Sequence, residues 1–364
     1  MTLVIIALFV IIGAVLCIDF LLIVLWKSER HLIKTSVAEN KPKVSILVAA
    51  RNEQATIERC IHALLKLNYP VTHLEILVGN DHSTDQTLQL AQAFADQYNH
   101  ISVVDIQENM GQARGKSNVL AHLSRRATGD YLFITDADVA VPPAWIEGML
   151  QGFLNNNVAI VTGVTGIQNS FYQDTDWVFA LGMVKVITDL GHPVTCMGNN
   201  MAISRDAYHA VGGYENIPFS ITEDFELFKQ VRKLKYNVVQ LYQPEVLALS
   251  LPAADVNQIL NQRKRWMKGA VQLPLPIVSL LAFQAIYYPA IVLMLLLMPL
   301  YGIFLVLVKI FLQSYFIRKA QISLDRKPLN LKFIKYEAYS FLLSMASSIF
   351  YLLPIKTVWK GRKY

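Results

Sequence analysis

Four short apolar segments that alternate with helical patterns constrain the fold of this chain more than any other feature. The segments are VSILVAA (44–50), LEILVGND (74–81), ISVVDI (101–106) and YLFITDAD (131–138). Helical patterns separate them, one ending near residue 67, one over about 84–97 and one over 115–127. Apolar strands joined by helices predict an α/β domain with a mostly parallel central sheet covered on both faces. Beyond them, 158–166 is predicted to be a strand with a glycine turn, and 238–249 one or two strands.

Carboxylates lie at the ends of two of these predicted strands, where ligands bind in such sheets. Asp136 and Asp138 close the fourth strand, and their side chains can converge because alternate residues of an extended chain point the same way. Two carboxylates so close repel unless neutralised, and a hard divalent ion shared with substrate phosphates is the usual partner. The alternative is a solvated turn. Asp81 closes the second strand, where it can bind a ribose or base edge; alternatively, Ser83 or Asp81 caps the helix that starts near Thr84.

Two further polar clusters each allow a chemical and a structural interpretation. Glu223 and Asp224 open a helical pattern, where they either satisfy the helix dipole or supply a general base for an acceptor hydroxyl. Gln262, Arg265 and Trp266 precede a long apolar region. They belong either to a juxtamembrane basic patch with an interfacial Trp, or to a site where the arginine contacts a diphosphate and the indole stacks on a substrate ring.

Smaller motifs fit around these clusters. The basic-patch interpretation accounts for Lys264 and Lys268. The loop from Gly111 to Lys116 is predicted to be flexible and basic near phosphates, and Asn199 and Asn200 offer side-chain amides for hydroxyl recognition.

Long apolar runs predict membrane segments on both sides of the α/β region. The chain is 54% hydrophobic, and residues 3–26 are long enough to span a bilayer. We expect an uncleaved anchor rather than a signal peptide, because the apolar run is long and a basic n-region is missing. About forty apolar residues from Leu273 to Leu312 predict a helical hairpin, at about 277–298 and 300–317. A third piece, 338–354, has basic residues on both sides, so it either lies in the interface, re-enters, or crosses against the positive-inside rule.

These runs predict four parts: an anchor (1–27), a cytoplasmic α/β domain (40–270), a membrane hairpin (271–317) and a basic C-terminal segment (318–364). Lys27, Arg30, His31 and Lys34 follow the anchor, which places the α/β domain in the cytoplasm.

Charge and cysteine content exclude other classes of protein. The net charge is +6, and the stretch from Lys309 onward holds eleven Lys and Arg against two Asp and Glu, so the basic excess belongs to the C-terminal part. A basic stretch beside apolar segments is typical of a surface that faces anionic lipid. The central region has no continuous basic stripe of the kind that binds nucleic acid. Cys17, Cys60 and Cys196 lack metal-ligand spacing and are odd in number, which argues against a zinc site and a disulfide scaffold.

From about residue 43 to 270 the chain resembles the membrane-bound family 2 glycosyltransferases, which have a GT-A fold and inverting chemistry. Six motifs in the family's order carry the resemblance: Ala49-Ala50-Arg51-Asn52-Glu53, Asp81, Asp136-Ala137-Asp138, Gly198-Asn199-Asn200, Thr222-Glu223-Asp224 and Gln262-x-x-Arg265-Trp266. One departure is the run GQARGKSNVL, which differs from the family's usual Gly-Lys-Ala type but keeps Gly115-Lys116.

The resemblance implies a role for each motif. Donor contacts would come from Ala49, Arg51, Asn52, Glu53, Asp81, Lys116 and Asp136. Asp138, with Asp136, would ligate Mg²⁺ or Mn²⁺ on the donor diphosphate. Asp224, beside Glu223, would be the general base. Gln262, Arg265 and Trp266 would close on the diphosphate and line the acceptor site.

The sequence therefore predicts an inverting glycosyltransferase of the cell membrane that moves a sugar from a nucleotide donor, a UDP-sugar, to a lipid acceptor. Polysaccharide synthases of the family usually carry more membrane helices, so the layout is more similar to members that glycosylate ceramide, dolichyl- or polyprenyl-phosphate, or carotenoid acids. The run WKGRKY (359–364) is similar to the end of carotenoid-acid members. The alternatives are a processive synthase, for example of an N-acetylglucosamine polymer, and a non-catalytic nucleotide-sugar-binding membrane scaffold.

Overall fold

The computed structural model describes residues 1–28, 41–154, 157–327, 332–359 and 362–363. The chain divides into two compact units. The sheet unit comprises Glu29–Asn169 and Ile187–Pro252, and the helical unit comprises Met1–Ser28, Ser170–Val186 and Ala253–Tyr364. Two segments of the predicted domain 40–270, namely 170–186 and 253–270, thus belong to the helical unit.

Seven described strands of the sheet unit form one sheet, in the order β3-β2-β1-β4-β8-β6-β9. Their bounds are β1 (Val44–Ala50), β2 (Leu74–Asn80), β3 (Ile101–Asp105), β4 (Tyr131–Asp136), β6 (Val158–Thr162), β8 (Asn200–Ser204) and β9 (Asn237–Gln240). The first four strands pair in parallel, which confirms the predicted, mostly parallel α/β sheet. β8 runs antiparallel to β4 and β6. A smaller sheet joins β5 (Val139–Ala140), β10 (Leu247–Ser250) and β7 (Val164–Ile167).

Helices cover both faces of the larger sheet. They are α2 (Ile57–Leu64), α3 (Thr87–Ala95), α4 (Lys116–Arg126), α5 (Trp145–Leu150), α7 (Arg205–Ala210), α8 (Gly213–Asn216) and α9 (Glu223–Lys233). Alternate β1 residues, including Ile46 and Val48, share a buried core with Ile57 of α2. On the other face Gly79 lets α4 approach closely, since a Cβ there would lie 2.2 Å from Val119. Because successive residues of a strand point to opposite faces, the sheet packs against helices on both sides.

The predicted strand 131–138 is two residues too long. β4 ends at Asp136, and Ala137 and Asp138 form a turn before β5 begins. β5 pairs with β10 rather than continuing β4, and that long-range pairing requires the chain to bend. The predicted strand at 158–166 is two strands, β6 and β7, separated by Gly163, and 238–249 holds β9 and β10.

The helical unit contains three helices that are, within the described residues, long and apolar enough to cross a membrane: α1 (Thr2–Leu25), α11 (Leu275–Leu297) and α12 (Pro299–Ser323). α11 and α12 occupy the predicted hairpin, and α13 (Phe333–Leu352) occupies the third apolar piece. The other elements are α6 (Phe171–Asp189), α10 (Val256–Ala270) and the strand pair β11 (Val358–Trp359) and β12 (Arg362–Lys363). The basic flanking residues Arg30, His31, Lys34 and Lys360 lie outside the described residues.

The apolar helices pack through both aliphatic and charged side chains. One buried cluster joins α1 to α11 through Leu8, Ile12, Val15, Tyr287, Ile291 and Met294. Asp19 of α1 and Lys309 of α12 form a buried ion pair at 2.6 Å. At the end of α1, the Trp26 indole donates a hydrogen bond to Ser323 Oγ at 3.3 Å.

Polar contacts tie α6 to the rest of the helical unit. The Gln173 side chain donates to the carbonyl of Ala253 and accepts from its amide, at 3.2 and 3.0 Å. Asp174 pairs with Arg326 at 2.6 Å. These long-range contacts explain why a segment inside the predicted α/β domain belongs to the helical unit.

Candidate active site

Three parallel strands bring the predicted donor-binding residues to one edge of the sheet. In the β1–β4 pair Ala49 lies opposite Asp136, and in the β1–β2 pair Ala50 lies opposite Asn80. The loop residues that follow β1 and β2 therefore start beside the end of β4, as the parallel topology predicts.

Hydrogen bonds join the loop after β1 to the loop after β2. Arg51 Nη1 donates to the carbonyl of buried Asp81 at 2.8 Å and lies 3.8 Å from its carboxylate. Asn52, whose φ is +52°, donates its amide to Ser83 Oγ and accepts at Oδ1 from the amide of Thr84. The amide of Glu53 adds a 2.7 Å bond to the Thr87 hydroxyl. The predicted nucleotide loop is therefore held by hydrogen bonds rather than left flexible.

Neither Asp81 nor Ser83 occupies the N-cap position of the helix that follows, which is Gln86. The amide of Thr87, the first residue of α3, donates to Asp85 Oδ1 at 3.0 Å. The capping interpretation of Asp81 is wrong, and its carboxylate lies instead beside Arg51 and His82.

Lys116 joins two of the predicted acids. Its ammonium lies 2.5 Å from Asp136 Oδ1 and 3.0 Å from Glu223 Oε1, and it donates to the carbonyl of Gly198 at 3.3 Å. Only 9% of the Lys116 side chain is exposed. Burial alone would lower the pKa of Lys116, but the carboxylates of Asp136, Glu223 and Asp224 raise it well above its usual value. Lys116 is therefore a permanent cation among three carboxylates.

Asp224 lies in the first turn of α9 and is held by backbone amides. Its Oδ2 accepts from Gly198 and its Oδ1 from Phe225, both at 2.8 Å. Burial, followed by the neighbouring Glu223 carboxylate, raises the pKa of Asp224 above its ordinary value, although Lys116 acts in the opposite direction. A fixed carboxylate with a raised pKa at the start of a helix is compatible with the predicted role of general base.

Asp138 is positioned by side chains that the sequence interpretation missed. Arg59 of α2 donates to the carbonyls of Asp138 and Leu249, each at 2.9 Å, and to Gln168 Oε1 at 2.8 Å. Ser250 Oγ donates to Asp138 Oδ2 at 3.3 Å. Nothing local in the sequence marks Arg59, because its partners Asp138, Gln168 and Leu249 lie far from it in the sequence.

The predicted metal ligands Asp136 and Asp138 lie at the end of β4 and in the turn that follows it. Both offer carboxylate oxygens, which Mg²⁺ and Mn²⁺ accept. Across the ranges that the structure describes, no group of three or more His, Cys, Asp or Glu side chains converges as a metal site. Two carboxylates that share the cation with substrate phosphates are consistent with this, because magnesium sites use few protein ligands beside phosphates.

The amides predicted for hydroxyl recognition have structural roles. Asn200 is fully buried, donates to the carbonyls of Val164 and Val246, and accepts from the Trp145 indole. Asn199 Oδ1 accepts from the Thr165 hydroxyl at 3.1 Å. For Asn200, the prediction of a substrate contact is therefore wrong, since its buried amide bonds to Val164 of β7, to Val246 and to Trp145 of α5.

Gln262, Arg265 and Trp266 lie on α10 of the helical unit, and all three are partly exposed. Lys264 between them is buried, and its ammonium donates to the carbonyls of Phe350 and Leu353 at 3.1 and 2.7 Å. The assignment of Lys264 to a basic surface patch is therefore wrong. Lys264 instead satisfies carbonyls at the end of α13, as cations at helix C-termini do.

The fold is that of GT-A nucleotide-sugar transferases. A solved mannosyltransferase from Pyrobaculum calidifontis, in complex with GDP-Man and Mn²⁺, superposes with a TM-score of 0.59, covering 95% of this chain and 99% of that one at 18% identity. The sequence profile described as "Glycosyl transferase family group 2" matches residues 131–354, and that described as "Glycosyl transferase family 2" matches 45–212. The chain belongs to the family 2 glycosyltransferases.

Curated relatives include enzymes named for lipid and for polysaccharide products. The chain is 27% identical over 241 residues to a beta-monoglucosyldiacylglycerol synthase of Synechocystis (64% of this chain, 48% of the relative). It is 26% identical over 248 residues to a poly-beta-1,6-N-acetyl-D-glucosamine synthase of Staphylococcus epidermidis (66% and 58%). It is 27% identical over 214 residues to a 4,4'-diaponeurosporenoate glycosyltransferase of Staphylococcus aureus (55% and 54%). The chain spans about half the length of the curated relatives it matches.

Proposed function

We propose that this chain is an inverting glycosyltransferase that moves a sugar from a UDP-sugar to a membrane-lipid acceptor. The observation that carries the proposal is the cluster in which Lys116 lies between Asp136 and Glu223 while backbone amides hold Asp224. Such a cluster combines oxygen ligands, a fixed cation and a fixed carboxylate of raised pKa at one sheet edge.

The proposed chemistry is a single displacement. Asp224 takes the proton of the acceptor hydroxyl, the acceptor oxygen bonds to the anomeric carbon, and the bond from that carbon to the diphosphate oxygen breaks. The nucleoside diphosphate leaves from the opposite side, so the configuration inverts and no second carboxylate has to act as a nucleophile. Asp136 and Asp138 would hold Mg²⁺ or Mn²⁺, which when bound supplies positive charge to the diphosphate.

The remaining residues take supporting roles in the proposal. The loop from Ala49 to Glu53, together with Asp81, holds the nucleoside. Gln262, Arg265 and Trp266 contact the diphosphate and the acceptor; this assignment is supported by the family resemblance of the motif. The predicted parts 1–27, 40–270, 271–317 and 318–364 would form an anchor, a cytoplasmic transferase domain, a membrane hairpin and a basic membrane-facing segment.

Two observations favour a lipid acceptor. Three described helices are long and apolar enough to cross a membrane, so a lipid could reach the enzyme from the bilayer. One relative is named for monoglucosyldiacylglycerol and another for 4,4'-diaponeurosporenoate. The relative named as a poly-N-acetylglucosamine synthase supports a second candidate, processive synthesis.

Product analysis tests the proposal. Full-length protein in lipid nanodiscs would be incubated with labelled UDP-sugars, Mn²⁺ and a membrane-lipid extract, beside Asp224→Asn. One organic-soluble product per donor, absent with Asp224→Asn although donor binding persists, would support lipid transfer. A water-soluble ladder would favour the synthase. Donor binding without transfer to any acceptor would favour the non-catalytic scaffold.

A further inference from the structure

Trp266 is held by Arg263, at an unspecified position of the Gln-x-x-Arg-Trp pattern, and by Trp177, outside that pattern. The guanidinium carbon of Arg263 lies 5.2 Å from the centroid of the Trp266 ring. The ring of Trp177 packs edge-on against the same indole, with centroids 5.2 Å apart and planes at 75°. The indole is therefore fixed by a cation on its face and by an aromatic ring beside it.

An acid on α6 anchors the cation. Arg263 and Asp176 form an ion pair, and their side chains are only 22% and 14% exposed. Arg263 reaches Trp266 because residues three apart on a helix share a face. Asp176 and Trp177 are neighbours on α6, so one short segment supplies both the ring beside the indole and the acid that holds the cation over it.

We infer that Asp176 is a positioning residue for acceptor binding: by holding Arg263 over the indole, it fixes the orientation of Trp266. The inference rests on the proposed function, in which Trp266 contacts the acceptor. Without the carboxylate, Arg263 gains rotamers that leave the ring, and the indole loses one of its two supports. An acceptor would then meet a mobile ring, and its affinity would fall without direct loss of a contact.

The same helix offers a matched control. Asp174 lies two residues before Asp176 and pairs with Arg326 at 2.6 Å, with the two side chains 19% and 23% exposed. Asp174→Asn thus removes an ion pair of similar burial from α6 and leaves the Asp176–Arg263–Trp266 contacts in place.

The experiment combines a spectroscopic readout with kinetics. Full-length protein labelled with 5-fluorotryptophan in nanodiscs would be studied by ¹⁹F NMR, with the Trp266 resonance assigned from Trp266→Phe. Asp176→Asn should shift or broaden that resonance, and Asp174→Asn and Asp176→Glu should not. In the transfer assay Asp176→Asn should raise the acceptor KM about tenfold with kcat and donor KM nearly unchanged, the pattern of lost uniform binding.

An unchanged Trp266 resonance in Asp176→Asn would overturn the positioning role. An equal change in Asp174→Asn would overturn it as well, because general loosening of α6 would then be the cause. If the wild-type protein transfers to no lipid, the proposed acceptor class fails, whereas the ¹⁹F spectra still decide whether Asp176 orients Trp266.

Discussion

The backbone amide of Gly198 donates to Oδ2 of Asp224 at 2.8 Å, and residue 198 has no room for a side chain. A Cβ there would lie 2.9 Å from Asp224 Cβ and 3.1 Å from Oδ2. Phe225 holds the other carboxylate oxygen through its amide. The orientation of the proposed base therefore depends on a glycine far away in the sequence.

We expect Gly198→Ala to push the Asp224 carboxylate out of place. Because small displacements of reacting groups cost about 100-fold in rate, kcat should fall by about that factor while donor KM changes little. Steady-state kinetics with a labelled donor would measure both parameters. Gly13→Ala is the control, since apart from its chain neighbours and the backbone of its own helix no described atom would lie within 4 Å of a Cβ at that position. Full turnover by Gly198→Ala would show that this contact does not position the base.

The pH dependence of transfer should reflect the environment of Asp224. Burial and the Glu223 carboxylate raise its pKa, and a general base works only when ionised. As the pH falls through the raised pKa, Asp224 gains a proton and kcat/KM should fall. The acidic midpoint should lie above about 3.9, the ordinary aspartate value. A profile flat down to that value would argue against Asp224 as the base.

Removing the Lys116 cation from its cluster of carboxylates should change both the pH profile of transfer and the free energy of unfolding. Lys116 opposes the rise in the pKa of Asp224, so Lys116→Gln should move the acidic midpoint to higher pH. It also leaves Asp136 and Glu223 without their buried partner, which should cost about 3–5 kcal/mol of unfolding free energy. Denaturant titration would measure the loss.

Lys229→Gln provides the comparison for Lys116. Lys229 pairs with Glu226 at an i,i+3 spacing and is 31% exposed, so its ion pair should contribute less than about 1 kcal/mol. Equal losses in the two variants would mean that Lys116 has no special role. Lys116→Arg, which keeps the charge, should retain part of the stability.

Features set by local sequence pattern could be predicted, whereas features set by contacts between distant segments could not. The strands from β1 to β4 and the edge position of Asp136 follow from apolar runs and parallel topology, so they were accessible. The turn at Asp138 depends on the β5–β10 pairing, and the Lys116–Glu223 contact joins distant helices. Lys264 is indistinguishable in sequence from its basic neighbours, and only its contact with the end of α13 reveals its role.

Arg59 should affect metal affinity without being a ligand. It holds the Asp138 backbone against Gln168 and Leu249, so Arg59→Met should loosen the proposed metal site. Loss of such an outer contact typically costs about 10–100-fold in metal affinity. Electron paramagnetic resonance of free Mn²⁺ would measure the affinity, with Asp138→Asn as the severe case. Arg205→Met, which removes a single bond to the carbonyl of Thr128, should bind Mn²⁺ normally. Wild-type affinity in Arg59→Met would contradict this role.

Asp19 and Lys309 form a buried ion pair. Removing both of its charges should destabilise the protein less than removing only one. The side chains are 1% and 3% exposed and 2.6 Å apart; the other buried residues of α1 are apolar, whereas α12 also buries Gln313, Gln321 and Ser323. Lys309→Met leaves an uncompensated carboxylate and should cost about 3–5 kcal/mol, whereas Asp19→Asn with Lys309→Met should recover much of that loss. Unfolding of the detergent-solubilised protein by SDS titration would compare the variants. Lys319→Met, which loses only a bond to the carbonyl of Ile23, is the control for removing a lysine from α12. If the single and double variants unfold alike, the pair contributes nothing to the stability of the bundle.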